Sequence, residues 1–336
     1  MTNLEEIVRK IMQRIFITGA NGYLGRNLAK YLADKGYFIT ALTRTTKIHS
    51  QLKHTNIQYA VGDLFSVNLK DLMKTSNILI HAAGDTDHTN KSKTQLKTNV
   101  DGTERVLSIA KNLGFTKFIH ISTESVLSTG KELINVNENH PIPSQHVGNY
   151  SFSKALAEQI ALSYATDAFR GIVIRPRMIW GRDDTTALSQ LVQAAKNNQL
   201  AWIDGGNYLT STTHIINLCH GIELALNSEK IKEIYAITDG EPILFKEFVS
   251  LLLKTQNIPI TTKEVSRKLL KNLAKTCDLL HKLSLGYLNG PITFQQYSAS
   301  AVEITLDIGK AQKELNYFPI VTREQGLLEI QKSLNA

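Results

Sequence analysis

Tyr150 and Lys154 stand four residues apart in the run Tyr150-Ser151-Phe152-Ser153-Lys154. On a helix that spacing turns both side chains to one face. A phenol on its own titrates near ~10, too high for easy proton exchange at neutral pH. An ammonium group beside it favours the phenolate. The pair therefore suits proton transfer to or from a hydroxyl or carbonyl oxygen. Taken alone the pattern is common, and a surface tyrosine and lysine on an amphipathic helix would look the same. A partner hydroxyl is available where the apolar run Phe118-Ile119-His120-Ile121 ends in Ser122-Thr123. A hydroxyl there can polarise the same oxygen, or it can cap the loop that follows.

A second group of residues points to what stands beside that oxygen. The turn Thr18-Gly19-Ala20-Asn21-Gly22-Tyr23-Leu24-Gly25 follows the apolar run Arg14-Ile15-Phe16-Ile17 and opens the helix-like stretch Arg26-Asn27-Leu28-Ala29-Lys30-Tyr31-Leu32. A glycine-rich turn between a buried strand and a helix brings backbone N–H groups, and the positive end of the helix dipole, up to a diphosphate. Gly19 suits the tight turn, Gly22 leaves room for a pyrophosphate, and Gly25 allows close packing of helix on strand. The spacing G-x-x-G-x-x-G differs by one residue from the common dinucleotide fingerprint. A dinucleotide held there would add its own influence on Tyr150, because the positive ring of an oxidised nicotinamide also favours a phenolate. Lys154 could hold the nicotinamide ribose.

These residues need a scaffold, and the first half of the chain reads as alternating strand and helix. Strands are expected at 14–18, 37–42, 57–61, 77–81, 117–122 and 171–175, with helices at 22–35, 95–113 and 149–166. Short apolar strands separated by helices imply a parallel sheet covered on both faces. Such sheets bind ligands at the carboxyl ends of their strands. The glycine turn, Asp63, His81-Ala82-Ala83-Gly84 and Ser122-Thr123 all fall at such ends. Beyond Gly181 the alternation is irregular: helices are expected at 186–197, 217–228 and 244–255, strands at 201–203, 234–238 and 302–306, and Asp307 as N-cap of 308–315. This part reads as a smaller lobe closing over the first.

Seven motifs in order now carry a resemblance: the turn at 18–25, Gly62-Asp63-Leu64, His81-Ala82-Ala83-Gly84, Asn99-Val100-Asp101-Gly102-Thr103, Ile121-Ser122-Thr123 with Val126 three residues on, Tyr150 with Lys154, and Arg175-Pro176-Arg177-Met178-Ile179-Trp180-Gly181. The chain resembles the extended short-chain dehydrogenase/reductases, within the NAD(P)-dependent epimerase/dehydratase superfamily. The resemblance implies an α/β fold with a Rossmann doubly wound parallel sheet and a smaller C-terminal substrate-binding lobe. The expected division is 13–181 for the Rossmann domain and 182–336 for the lobe, with crossings back to the sheet at 217–240. By the same resemblance Thr123 is the catalytic hydroxyl, Tyr150 the acid/base, Lys154 its activator and ribose ligand, and Asn99 a tie between sheet and active site or a purely structural residue. Gly19, Asn21, Gly22, Tyr23, Leu24 and Gly25 line the diphosphate. Asp63 accepts from the adenine amino group, with Leu64 packing beside the ring. Ala82, Ala83 and Gly84 line the middle of the cofactor, and Pro176 and Ile179 complete its contacts.

The end of the second strand, Ala41-Leu42-Thr43-Arg44-Thr45-Thr46-Lys47, holds no acid to bind a ribose 2′-hydroxyl. Arg44 favours NADP(H) over NAD(H), since an arginine accommodates a 2′-phosphate. The later run from Ala201 to Phe248 resembles the 3β-hydroxysteroid dehydrogenase-like branch, which also holds reductases of long-chain 3-oxo acids. His214 and Asn217 in that run are read as structural, bonding a loop and capping the next helix. The expected activity is hydroxyl/ketone interconversion on an apolar, sterol-like or 3-oxoacyl substrate. Two other readings stay open: a sugar-nucleotide epimerase or dehydratase on the same scaffold, and a non-catalytic NADP(H)-sensing regulator. Dehydratases of the family carry Asp-Glu after the catalytic threonine, and this chain has Glu124-Ser125.

Bulk properties narrow the partners. With 42% apolar and 20% charged residues, the 336-residue chain has material for a large core. Its two cysteines, Cys219 and Cys277, suggest no disulfide framework and no cysteine metal site, so a reducing cytoplasm is the default and no metal is expected. The net charge of +8 lacks the interleaved aromatics of a nucleic-acid surface, so no nucleic-acid partner is expected. Much of that charge surrounds an apolar stripe, Val265, Leu269, Leu273, Cys277 and Leu280. This segment, 263–283, reads as an amphipathic helix packed on its own lobe, a cap over an apolar pocket, or a peripheral membrane contact. Residues 1–12 suggest a short amphipathic helix. A homodimer through the helices at 95–113 and 149–166 is implied by the family resemblance.

Overall fold

Among the described residues, seven short apolar runs pair into one sheet: β1 (Arg14–Thr18), β2 (Phe38–Thr43), β3 (Ile57–Val61), β4 (Ile78–His81), β5 (Lys117–Ile121), β6 (Arg170–Pro176) and β7 (Lys232–Ile237). The structure is a computed structural model and describes residues 12–90 and 93–334. The helix expected over the first twelve residues falls, but for Met12, outside the described residues. Every neighbouring pair is parallel, in the order β7-β6-β5-β4-β1-β2-β3. The order reverses direction between β1 and β4, which opens a crevice at their carboxyl ends. Thr18, the last residue of β1, pairs with His81, the last of β4.

Strand period two explains why both faces are apolar. Ile15 and Ile17 face α1 (Tyr23–Asp34), while Phe16 between them faces the opposite layer. On the first face, Leu28 and Leu32 of α1 pack with Leu218 and Ile222 of a later helix, Ile215–Asn227. On the second, Val106 and Leu107 of α2 (Gly102–Asn112) pack with Phe118, Val173 and Ala161, the last from α3 (Asn149–Tyr164). Each such side chain, once buried, stabilises by roughly 1.5–3 kcal/mol.

The chain does not keep its halves apart. Helix Ile215–Asn227 and β7, both beyond residue 181, complete the first layer and edge of the parallel sheet. In return, Leu133–Val136 joins a smaller sheet with Ile243–Leu244, Leu209–Thr210 and Ile304–Leu306.

The helix expected at 95–113 runs from 95 to 112, widening over Lys97–Asp101 into a turn of the π type before α2, a feature frequent at functional sites. Two other local expectations are corrected. The helix after Ile304–Leu306 runs Gly309–Leu315, and Asp307 supports its first turn by accepting from the Gly309 N–H at 2.7 Å. Val265 pairs as a strand with Ile203, and the helix following it is α4 (Arg267–Leu283). Of the expected apolar stripe only Cys277 is buried; Leu269, Leu273 and Leu280 are exposed, because α4 rests instead on the side carrying Ala274 and Cys277.

Candidate active site

The glycine turn is built as an open cradle. Gly19 has φ +69°, the left-handed region that favours glycine, and an added Cβ would stand 2.7 Å from the Ala83 amide nitrogen. A Cβ on Gly25 would collide with the Gly19 carbonyl and stand 2.7 Å from the Ala20 Cα. The turn is thus pressed against both its own helix and the Ala82–Ala83 segment. Gly22 precedes α1, whose amino end has no side-chain cap and no acidic residue in its first turn. Bare amide groups at a helix start suit an anion. Tyr23 is buried in this region with its ring beside Arg26, and burial pushes its phenol up; Leu24 packs partly into the core.

A buried relay joins this turn to the next strand end. The Ala83 N–H donates to Thr18 Oγ1 at 3.1 Å, and Thr18 Oγ1 lies 2.7 Å from His81 Nδ1. His81 Nε2 lies 2.9 Å from Thr103 Oγ1, which donates to the Asn99 carbonyl at 2.6 Å. Since Thr103 gives its proton to Asn99, it accepts from His81 Nε2–H, and His81 Nδ1 then accepts from Thr18. Burial keeps that imidazole neutral, its pKa pushed down to about 3.

Asn99 clamps the loop after β4 to α3. Its Oδ1 accepts from the Asp85 N–H at 2.7 Å; its Nδ2 donates to the Asp85 carbonyl at 3.0 Å and to Ser153 Oγ at 2.9 Å. Ser153 in turn donates to the Tyr150 carbonyl. These contacts tie the loop after β4 to the helix that carries Tyr150. Gly84 lies beside it, with room for a Cβ 3.4 Å from Asn99 Oδ1.

Tyr150 and Lys154 are both buried on α3. Lys154 Nζ donates to the Ile121 carbonyl at 2.6 Å. Burial pushes the ammonium pKa down to about 8, against the opposing pull of the Glu158 carboxylate. Ser122 is committed elsewhere, donating to Glu158 Oε2 at 2.6 Å. Thr123 both caps the turn Glu124–Leu127, accepting from the Ser125 N–H, and donates to Glu124 Oε2 at 2.7 Å. The reading of this hydroxyl as a cap on the following turn holds.

The expected lowering of the phenol by Lys154 is corrected. Burial and the Glu124 carboxylate push the Tyr150 pKa up, and a hydrogen bond with Thr123 offsets only part of this. The cause is local: the lysine is turned to the Ile121 carbonyl, whereas the carboxylate is held next to Thr123. Glu124 is fixed by Arg177, whose Nη1 donates to its Oε1 at 2.6 Å and whose Nη2 donates to the Ala299 carbonyl at 2.9 Å. Replacing Glu124 by Gln removes the negative charge and lowers the phenol pKa. The midpoint of any pH–rate profile that depends on a Tyr150 phenolate should then move downward. A pH–rate profile that does not move would show that this carboxylate does not govern Tyr150.

Sequence reasoning missed three participants. His88 lies with its ring centroid 4.5 Å from that of Tyr150. Arg177 closes the Glu124 pair. Gln295, fully buried, accepts from the Ser151 N–H at 3.2 Å and donates to Ser125 Oγ at 2.9 Å. His88 and Gln295 come from a loop and a distant part of the chain and leave no local pattern; Arg177 lies in the motif at 175–181, which does not reveal its partner Glu124. The remaining expected residues are distributed around the crevice. Asp63 is exposed after β3, where its Oδ1 accepts from the Phe65 N–H at 2.7 Å; Leu64 is buried against Gly102. Pro176 ends β6 opposite Ile237, and Ile179 pairs with Thr213. Asn21 holds the loop after β2, donating to the Lys47 carbonyl at 3.3 Å and accepting from the His49 N–H at 3.2 Å. Arg44 is exposed on that loop. Outside the crevice, His214 Nδ1 caps the helix Ile215–Asn227, while Asn217 bonds both N–H and C=O groups of the loop at 320–321.

Comparison with known proteins bears on the family and the fold. The family model described as the 3-beta hydroxysteroid dehydrogenase/isomerase family matches residues 16–266. A 4-hydroxy-2-methyl-3-oxo-4-farnesyl-3,4-dihydroquinoline-1-oxide ketoreductase of Stigmatella aurantiaca is 36% identical over 315 residues, covering 94% of both chains. A decarboxylating sterol-4-alpha-carboxylate 3-dehydrogenase of Dictyostelium discoideum is 28% identical, covering 95% of this chain and 100% of its own. In fold, the chain is similar to a UDP-glucuronic acid 4-epimerase from Bacillus cereus, with a TM-score of 0.72 at 20% identity over 96% of this chain and 100% of that one.

Proposed function

The chain belongs to the 3-beta hydroxysteroid dehydrogenase/isomerase family, enzymes of the extended short-chain dehydrogenase/reductase type, and from that premise we propose that it interconverts a hydroxyl and a ketone on an apolar substrate, with NADP(H) as its dinucleotide. The observation that carries the reading is the buried group of Tyr150, Thr123 and Lys154 at the end of β5 and on α3. The dinucleotide, when bound, supplies or accepts the hydride. Gly19, Gly22 and the bare start of α1 would hold its diphosphate, and Asp63 its adenine. Tyr150 gives the proton to the ketone oxygen in reduction and takes it back in oxidation. Thr123 holds the same oxygen in place. Lys154, next to the strand end, would fasten the ribose. Relatives named for a farnesyl-bearing ketone and for a sterol carboxylate support an apolar, sterol-like or 3-oxoacyl substrate.

Arg44 supports NADP(H): it stands exposed on a loop that Asn21 fastens beside the glycine turn. Arg44→Asp should weaken NADPH binding roughly 10- to 100-fold, the range for losing a charged hydrogen bond, and raise the relative use of NADH. Unchanged NADPH affinity in that variant would refute the assignment. Following NADPH absorbance against steroid ketones, 3-oxoacyl compounds and nucleotide sugars tests the activity. No absorbance change with any of them, together with product analysis showing that nucleotide sugars are epimerised, would replace this reading by an epimerase.

A further inference from the structure

Helix α4 is held to the body by one narrow side. Leu270, Ala274 and the neighbouring aromatic rings form a cluster with Val126, Leu127 and Tyr297. The one carboxylate of the helix, Asp278, is turned inward and accepts from the Phe294 N–H at 3.1 Å. Arg267 at its start pairs with Glu132 and Asp204. What faces away from the body is different in kind. At about 100° per residue, Leu269, Leu273, Leu280 and Leu283 share one stripe. Lys268, Lys271, Lys275 and Lys282 share another, roughly a third of a turn away, with Leu279 between. The leucines are open to solvent: Leu269 and Leu283 are each 71% exposed, and the loop that follows continues the surface with Leu285 at 88% and Tyr287 at 87%.

We propose that this surface docks the protein on an anionic lipid bilayer, with α4 lying in the headgroup region, its leucines and the Leu285–Leu288 loop entering the acyl boundary and its lysines meeting the lipid phosphates. Two observations carry it together. An apolar stripe this exposed is costly in water and needs a cover. The cover must also be negative, because four lysines accompany a single, inward-turned acid on the helix, while Arg267 is already paired with Glu132 and Asp204. A helix with a separate apolar stripe and a lysine stripe has the form of an interfacial anchor. Among the described residues no helix is long and apolar enough to cross a membrane, so the contact is peripheral. The docking does not depend on which substrate the active site takes.

The test is sedimentation of the full chain with vesicles of phosphatidylcholine, with and without phosphatidylglycerol. The chain should pellet with the anionic vesicles, remain in solution with pure phosphatidylcholine, and be released by salt. Lys268→Gln, Lys271→Gln and Lys282→Gln together should reduce partitioning roughly 100-fold. Leu269→Ser, Leu280→Ser and Leu283→Ser together should reduce it on the order of 10-fold or more, by loss of buried apolar area. All of these side chains are exposed except Lys271, which is half-buried, so circular dichroism should show both variants folded. Failure to pellet, equal binding to both vesicle types, or full binding by either variant would overturn the proposal. So would self-association through the leucine stripe without vesicle binding, which would identify the cover as a second copy.

Discussion

Tyr150→Phe should lower kcat by about 100- to 10,000-fold, the usual worth of a positioned general acid or base, and leave dinucleotide affinity nearly unchanged. The substitution keeps the ring, so the contact with His88 and the packing of α3 survive. Only the hydroxyl is lost, and with it the group proposed to give its proton to a ketone oxygen. Because the group acts in the transition state, kcat and kcat/KM should fall together. Steady-state NADPH oxidation measures the loss, and calorimetric titration with NADPH measures the binding. A variant within about tenfold of the parent would remove Tyr150 from the general acid–base role.

The second large effect is on stability. Arg175 and Glu158 form a fully buried ion pair, 3% and 0% exposed, and Ser122 adds a further hydrogen bond to the same carboxylate. Arg175→Met would leave Glu158 charged, buried and short of its main partner. We expect a loss of about 3–5 kcal/mol in urea denaturation, the range for removing one member of a buried pair. The double variant Arg175→Met, Glu158→Met should recover most of it, since a well-packed apolar pair of similar volume is often neutral or better. A single variant losing under about 1 kcal/mol would mean that the carboxylate takes up a proton or finds water instead. The double variant has a second readout. Glu158 holds the Lys154 pKa up against burial, so without it the ammonium is lost at lower pH. Any activity that needs that charge should fall off earlier on the alkaline side.

The parallel sheet was legible because its strands are short, continuously apolar and bounded by polar turns, and because both faces are buried. The glycine turn, Tyr150 and Lys154 were legible because each motif is local: a few residues of fixed spacing carry the signal. The electrostatic setting of Tyr150 was not. Glu124 and Arg177 are 53 residues apart, Gln295 reaches Ser125 across 170, and His88 arrives on a loop with no pattern of its own. The first and last of these arise only when separate strands and loops of the first sheet come together, and the Gln295 contact only when the later part of the chain closes on it. The lysine–phenol reading assumed that sharing a helix face fixes the strongest interaction; burial and a carboxylate from another element outweighed it. The stripe on α4 shows a related limit. Periodicity identified an amphipathic helix, but hydrophobicity alone could not say which flank meets the body, and the small residues Ala274 and Cys277 allow the closer approach.

The exchange of elements between the two parts has a practical meaning for anyone dividing this protein. A chain stopped at residue 181 would keep the glycine turn, Tyr150 and Lys154, yet β6 would become a raw edge and one face of the sheet would lose the helix Ile215–Asn227. The remainder expressed alone would lack Leu133–Val136 from its own small sheet. Neither fragment inherits a finished interior, so swapping the lobe between relatives to change specificity requires grafting around β7 and its preceding helix rather than cutting after Gly181.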